Sequence, residues 1–150
     1  MSSKRYKSTI SIDGTNFTIV AIHTDFSPYL LAWCLFDTFS LQFVCENPPF
    51  QINLPNQLDS IHAEYHFFGS DEYPRMWLIQ NQGSESRLVN SKPLPDYFLL
   101  FEEEDVILHF DHWLETLNRI PRIQLAYVFP KDKTKKFHWV NELHHLRFQK

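Results

Sequence analysis

The distribution of apolar and polar residues is clearest over residues 96–129, where it predicts three consecutive elements. Tyr97 to Phe101 is a short apolar run without glycine or proline, which is typical of a strand buried on both faces. Apolar positions then recur with the spacing of a helix, which Pro121 ends. These positions are Ile107, Phe110, Leu114 and Leu117. With a second strand from Ile123 to Phe129, the pattern predicts a strand-helix-strand unit whose strands pair in parallel.

Four acidic residues, Glu102 to Asp105, lie between the first strand and the helix. Negative charge suits the first turn of a helix, because the unpaired N–H groups make that end positive. We therefore expect the helix to begin within this acidic run. The core of the unit is predicted to include Leu100, Phe110, Leu114 and Leu125.

Short β-rich runs occupy much of the remaining chain. Thr9 to Ile12 and Phe17 to Ile22 flank an Asp-Gly pair, which is typical of a hairpin turn. Further strands are predicted at residues 41–45, 61–68, 76–80 and 87–89, with a short extended piece at 50–54. We expect the last three of these strands to form an antiparallel meander.

One early helix has an unusual pattern. Ser27 and Pro28 are preferred at the N-cap and at the first position of a helix, which we expect to extend to Phe39. Its residues leave no polar face, so a second element must cover the side that the sheet leaves open. Either the proline-rich segment 47–55 or the same helix of a second chain fills this role.

Together these elements predict one globular domain, residues 1–150, of the α+β class. Its sheet is mostly antiparallel, includes the C-terminal strand-helix-strand unit, and packs against two or three helices. The third helix is predicted from the spacing of Trp139, Leu143 and Leu146, after a charged, solvated loop at residues 130–136.

Composition and charge narrow the class of partner. The chain carries a net charge of -4, which argues against nucleic acid or an anionic membrane, since both require a basic face. No apolar run is long enough for a signal peptide or a membrane span. Cys34 and Cys45 lack the pattern of a disulfide scaffold and lie in apolar runs, so we expect reduced core thiols in a cytoplasmic protein.

Several segments resemble the IPExxxVDY family of small bacterial proteins over most of the chain. They are the strand at residues 17–22, Leu-Ala-Trp-Cys-Leu at 31–35, Trp-Leu-Ile-Gln-Asn at 77–81, Asp-Tyr-Phe-Leu-Leu at 96–100, and Ala126-Tyr127 before a Lys-rich turn. Val89-Asn90-Ser91 stands where the family has Ile-Pro-Glu, and Pro95 stands where it has Val. The resemblance implies the fold and the cytoplasmic location, and it transfers no activity, substrate or catalytic residue.

No familiar catalytic or nucleotide-binding motif is present in the sequence. The three glycines of the sequence are too far apart to form a Walker A loop or a GxGxxG motif. The sequence also contains no GxSxG elbow. We therefore predict no catalytic residue and no cofactor.

Asp105, His109 and His112 form a candidate metal site, because the spacing i, i+4 and i+7 places them on one helix face. Glu102 is a further candidate ligand. That face flanks the apolar stripe, so we expect it to be solvated. His62 and His66, with Glu64 between them, are expected on an exposed face of a strand.

These observations favour a non-enzymatic binding or interaction protein. Tyr29, Trp33 and Phe36 of the apolar helix are the candidate interaction residues, and the partner is another protein or a second copy of the chain. Monomer and homodimer both remain open. The alternative is a small metal-binding protein or enzyme that uses Asp105, His109 and His112.

Overall fold

The computed structural model describes residues 9–12, 15–47, 49–52, 59–90, 92, 94–102, 107 and 109–129. These residues form nine strands and two helices. In chain order they are β1 (Thr9–Ile12), β2 (Thr15–Thr24), α1 (Pro28–Phe39), β3 (Val44–Cys45), β4 (Phe50–Ile52), β5 (Ser60–His62), β6 (Glu64–Phe67), β7 (Met76–Gln80), β8 (Tyr97–Glu102), α2 (Phe110–Arg119) and β9 (Ile123–Val128).

In the described part of the chain, seven strands form one sheet in the order β1-β2-β8-β7-β6-β3, with β9 also paired to β2. All of these pairings are antiparallel. Strands β4 and β5 form a separate antiparallel pair. The predicted α+β fold with a mostly antiparallel sheet is therefore confirmed.

The strand-helix-strand unit is present as β8, α2 and β9, but its two strands do not pair with each other as predicted. Strand β2 lies between them, since Ile22 pairs with Tyr97 of β8 and with Ala126 of β9. Both strands run antiparallel to β2 and are therefore parallel to each other. The predicted parallel pairing of β8 with β9 was wrong because β2, which is ten residues long, forms hydrogen bonds with β8 along one edge and with β9 along the other.

The sheet is covered on both faces, because alternate residues of its central strands enter two different apolar clusters. On the first face, Val20 and Ile22 of β2 pack with residues of α1 and α2. On the second face, Ile19 and Ala21 pack with β4 and with Leu88 and Val89. The first face therefore carries the helices.

Helix α1 has the predicted bounds, and its ends are capped by serines. The Ser27 hydroxyl accepts a hydrogen bond from the Leu30 N–H at 3.4 Å, and Pro28 opens the first turn. At the other end Ser40 adopts a left-handed φ of 60°, and its N–H donates to the Phe36 carbonyl at 2.8 Å.

Helix α2 begins later than predicted. His109 precedes it with a left-handed φ of 55°, and Asp111 is the acidic residue of its first turn. Glu102 instead ends β8, so the predicted helix start within the acidic run was wrong at that residue, while residues 103–106 lie outside the described part.

Helix α2 is held against β9 by Asn118. The side-chain amide of this residue exchanges two hydrogen bonds of 2.8 Å with the backbone of Ala126, as a neighbouring strand would.

The segment predicted as one strand at residues 61–68 is two strands. At Ala63 the chain passes from β5, which pairs with β4, to β6, which pairs with β7 in the main sheet. The predicted meander is also wrong, because the other neighbour of β7 is β8. Residues 87–89 contribute a single bridge, between Gln82 and Arg87.

The predicted core residues of the central unit have different outcomes. Leu100 and Phe110 are buried, as predicted. Leu114 is partly buried against the first cluster, whereas Leu125 is 50% exposed and was wrongly placed in the core. The predicted C-terminal helix and the charged loop before it lie outside the described residues. Of the two helices that are described, neither has the length and apolar character needed to cross a membrane.

Candidate functional site

The exposed face of α1, formed by Tyr29, Leu30, Trp33 and Phe36, is the candidate interaction surface, and we call it the α1 face. A helix turns by about 100° per residue, so these side chains lie opposite the buried line of Leu31 and Leu35. Tyr29 is 68% exposed, Trp33 54% and Phe36 49%. Three large aromatic side chains therefore stand on one side of a single helix and face solvent.

A groove of about 210 Å³ runs beside the α1 face. One wall is formed by α1 and the other by residues that lead into β3 and by β6. The lining residues are Tyr29, Ala32, Trp33, Phe36, Gln42, Phe43 and Tyr65. Burial, with a smaller contribution from Cys45, raises the pKa of Tyr65, so its phenol is neutral near pH 7. The groove is thus an aromatic, uncharged depression.

The described part of the proline-rich segment does not cover α1. Phe50 and Ile52 are buried in the cluster on the second face of the sheet, whereas Leu31 and Leu35 of α1 belong to the cluster on the first face. The predicted intramolecular cover is therefore wrong for residues 49–52, because β4 pairs with β5 and packs on the other side. Residues 53–58 lie outside the described part.

The two histidines of the candidate metal site, His109 and His112, do not share a helix face in the way that their spacing predicted. His109 lies before the first turn of α2 in a left-handed conformation, and His112 is exposed on the helix itself. Asp105 lies outside the described residues, as does the side chain of Glu102. No three His, Cys, Asp or Glu residues of the described ranges are placed to hold a metal ion. The metal site remains a prediction, which elemental analysis of the dialysed protein tests.

Sequence reasoning missed a set of buried polar side chains on β5 and β6. We expected His62, Glu64 and His66 on an exposed sheet face, but all three are buried. The expectation was wrong because β4 and the turn at residues 81–86 pack over this side of the sheet. Alternation of polar and apolar residues usually marks a half-exposed strand, so no local signal identified this burial.

Within this set, His66 has a defined environment. Its ring stacks on Trp77 at a centroid distance of 4.9 Å and an angle of 14°. Its Nδ1 lies 3.4 Å from Oε2 of Glu46, within hydrogen-bonding distance. The side chain of His66 is 4% exposed and that of Glu46 is 20% exposed, so the pair is largely buried.

The two cysteines are free thiols. Cys34 of α1 is partly buried, and burial raises the pKa of its thiol. Cys45 is exposed, so its predicted core position was wrong. It lies on β3, a two-residue strand at the edge of the sheet.

Comparison with known protein families and with curated proteins identified no relative of this chain. No model of a known protein family matches the chain, and no curated protein matches it.

Proposed function

We propose that this protein is a non-enzymatic binding protein and that its interaction surface is the α1 face with the adjoining groove. The observation that supports the proposal is the exposure of Tyr29, Trp33 and Phe36 on one side of a helix whose opposite side is core. A large aromatic side chain has a surface of about 200 Å². The exposed fractions of Tyr29, Trp33 and Phe36 therefore add up to about 340 Å² of mainly apolar surface. That area is within the range of the largest patch on a typical monomer, which is often functional.

The size and chemistry of the groove favour a protein partner over a small molecule. Pockets for drug-sized ligands enclose roughly 300–1,000 Å³, whereas this groove encloses about 210 Å³. A depression of that size accommodates a side chain that projects from a partner. Aromatic residues are also enriched at the centres of protein interfaces, where they supply most of the binding energy.

We also propose that the protein is cytoplasmic and bacterial and is related to the IPExxxVDY family. The support is the resemblance of its strands and of α1 to segments of that family. Its net charge of -4 further favours a protein partner over nucleic acid or an anionic membrane.

Site-specific photocrosslinking in the cells that make the protein tests the proposed function. Tyr29 is replaced by p-benzoylphenylalanine, an aromatic residue that keeps the apolar character of the α1 face. Irradiation is expected to yield a discrete adduct heavier than the 18.0 kDa chain. The adduct should disappear when Trp33→Glu is added, because a charge would then occupy the centre of the surface.

The matched control places the same crosslinker at Leu125. This side chain is 50% exposed and pairs with His23, which places it on the side of the sheet away from α1. No adduct is expected there. Equal labelling from both positions, or no adduct from position 29, would contradict a binding role for the α1 face.

A further inference from the structure

We infer that the partner of the α1 face is a second copy of this chain, bound across a two-fold axis that passes near Trp33. The inference rests on the proposed function and specifies its partner. In such an isologous interface the same surface is used by both subunits. The α1 face must therefore be complementary to itself in shape, charge and area.

The spacing of the aromatic residues meets the shape requirement. Tyr29, Trp33 and Phe36 follow one another at four and three residues, so Trp33 lies nearly midway along a line of about 10 Å. A two-fold axis perpendicular to the helix makes the two α1 helices antiparallel. Trp33 then faces Trp33 of the second copy, and Tyr29 faces the second Phe36, so each aromatic side chain meets another aromatic side chain.

The groove beside the helix extends this fit. It is bounded by the same three aromatic residues and, on its far side, by Phe43 and Tyr65. A helix ridge and a neighbouring depression on one surface allow the ridge of each copy to enter the depression of the other. One set of residues thus provides both halves of the contact.

Charge does not oppose this arrangement. Asp37 is the one charged residue in the sequence of α1, and it lies four residues beyond Trp33. In the antiparallel pair the two Asp37 residues are at opposite ends of the contact, about 12 Å apart along the helix axis. That separation exceeds the Debye length of about 8 Å at physiological ionic strength, so their repulsion is largely screened. The centre of the contact carries no charge that would select a different, oppositely charged partner.

The exposed area is also of the right size. A standard interface removes about 800 Å² from each partner, of which about 57%, or roughly 450 Å², is apolar. The three aromatic residues supply about 340 Å². Leu30, which is 41% exposed on the same face, adds to this area. A second copy supplies an equal surface, so the contact approaches the apolar area of a standard interface.

Sedimentation equilibrium over a hundredfold range of micromolar concentrations tests the inference. The unmodified protein is expected to move from 18.0 kDa toward twice that mass as concentration rises. Trp33→Glu should weaken the dimer at least about thirtyfold, because it removes a central aromatic anchor from both copies. Tyr29→Glu, at the most exposed of the three positions, should weaken it as well and guards against a folding defect specific to Trp33.

Leu125→Glu is the matched control, since it adds the same charge at a side chain of similar exposure on the other side of the sheet. It should dimerise like the unmodified protein. A mass of 18.0 kDa at every concentration, or equal dissociation by Leu125→Glu, would overturn the dimer, and growth beyond two chains would overturn the two-fold arrangement. A monomer that still forms an adduct with a different protein from position 29 would overturn this inference alone and leave the proposed binding function standing.

Discussion

Gly83 lies against the imidazole ring of His62 so closely that a methyl carbon on Gly83 would stand 2.5 Å from both Cε1 and Nε2 of the ring. His62 is fully buried, and its Nδ1 donates to the Gln80 carbonyl at 2.9 Å. The same methyl carbon would lie even closer to Oγ of Ser60, which accepts hydrogen bonds from the backbone N–H groups of Glu85 and Ser86. The turn can therefore close over β5 because residue 83 has no side chain.

Gly83→Ala is expected to destabilise the protein by about 1–3 kcal/mol, the usual cost of forcing extra volume into a packed interior. Both neighbours are constrained, His62 by Gln80 and Ser60 by the turn itself, so neither can move without losing a hydrogen bond. Urea denaturation measures the effect. Gln82→Ala, at the adjacent exposed position, is the control and should change the free energy of unfolding by less than about 0.5 kcal/mol. A similarly small effect of Gly83→Ala would mean that the turn does not pack on His62.

His62 should make folding stability depend on pH. Burial lowers the pKa of His62 below 6.5, while hydrogen bonds to the backbone of Gln80 and Asn81 oppose the shift. Among the described residues, Nε2 of His62 has no hydrogen-bond partner, so burial outweighs the two backbone hydrogen bonds and disfavours the charged ring. Between pH 6.5 and the lowered pKa of the folded protein, the unfolded chain therefore binds more protons than the folded protein, and stability falls as pH falls through this window, by at most about 1.4 kcal/mol per unit for one group.

The comparison of His62→Gln with the unmodified protein isolates this contribution, because the other histidines are common to both. Unfolding free energies from urea titrations at pH 7.5 and 5.5 should fall less in the variant than in the unmodified protein. His112→Gln, at an exposed position of α2, should keep the full pH dependence. An identical pH dependence in all three proteins would show that His62 titrates normally.

The elements that sequence predicted well are those determined by neighbouring residues. The bounds of α1 follow from Ser27 and Pro28 at one end, and the hairpin of β1 and β2 follows from two β-rich runs around a turn. The stripe of α2 correctly identified Phe110 and Leu117 as buried. In each case the decisive interactions lie within a few residues along the chain.

The elements that sequence misplaced depend on distant partners. The change of sheet at Ala63 arises because β5 finds β4, while β6 finds β7. The separation of β8 from β9 arises because β2, far away in sequence, pairs with both. For the candidate site, sequence identified the aromatic residues of α1, but their exposure depends on where the proline-rich segment packs, which no local pattern determines.

Phe110 and Leu125 were both predicted to be core residues of the strand-helix-strand unit, but only Phe110 is buried. Phe110 is 4% exposed and packs on Phe101 and Trp113, with ring centroids 6.0 and 5.8 Å away. Phe110→Ala should cost about 3–5 kcal/mol, because it leaves a cavity between the helix and the sheet. Leu125→Ala should cost less than about 1 kcal/mol, since half of the side chain already contacts solvent. Denaturant melts of both variants measure the difference, and equal costs would contradict the placement of Leu125.

The two thiols should differ in reactivity, because their environments differ in ways that the sequence did not reveal. Burial raises the pKa of the Cys34 thiol and reduces its thiolate fraction near pH 8; a hydrogen bond with Thr38 opposes this and the charge of Asp37 reinforces it. Cys45 is exposed on the edge strand β3. Iodoacetamide at pH 8, followed by peptide mass spectrometry, should therefore modify Cys45 several-fold faster than Cys34. In denaturing urea the two rates should converge, because unfolding removes the burial that protects Cys34. Cys45→Ser should remove the fast phase and retain the slow one, whereas a fast phase that persists in this variant would mean that α1 does not shield Cys34.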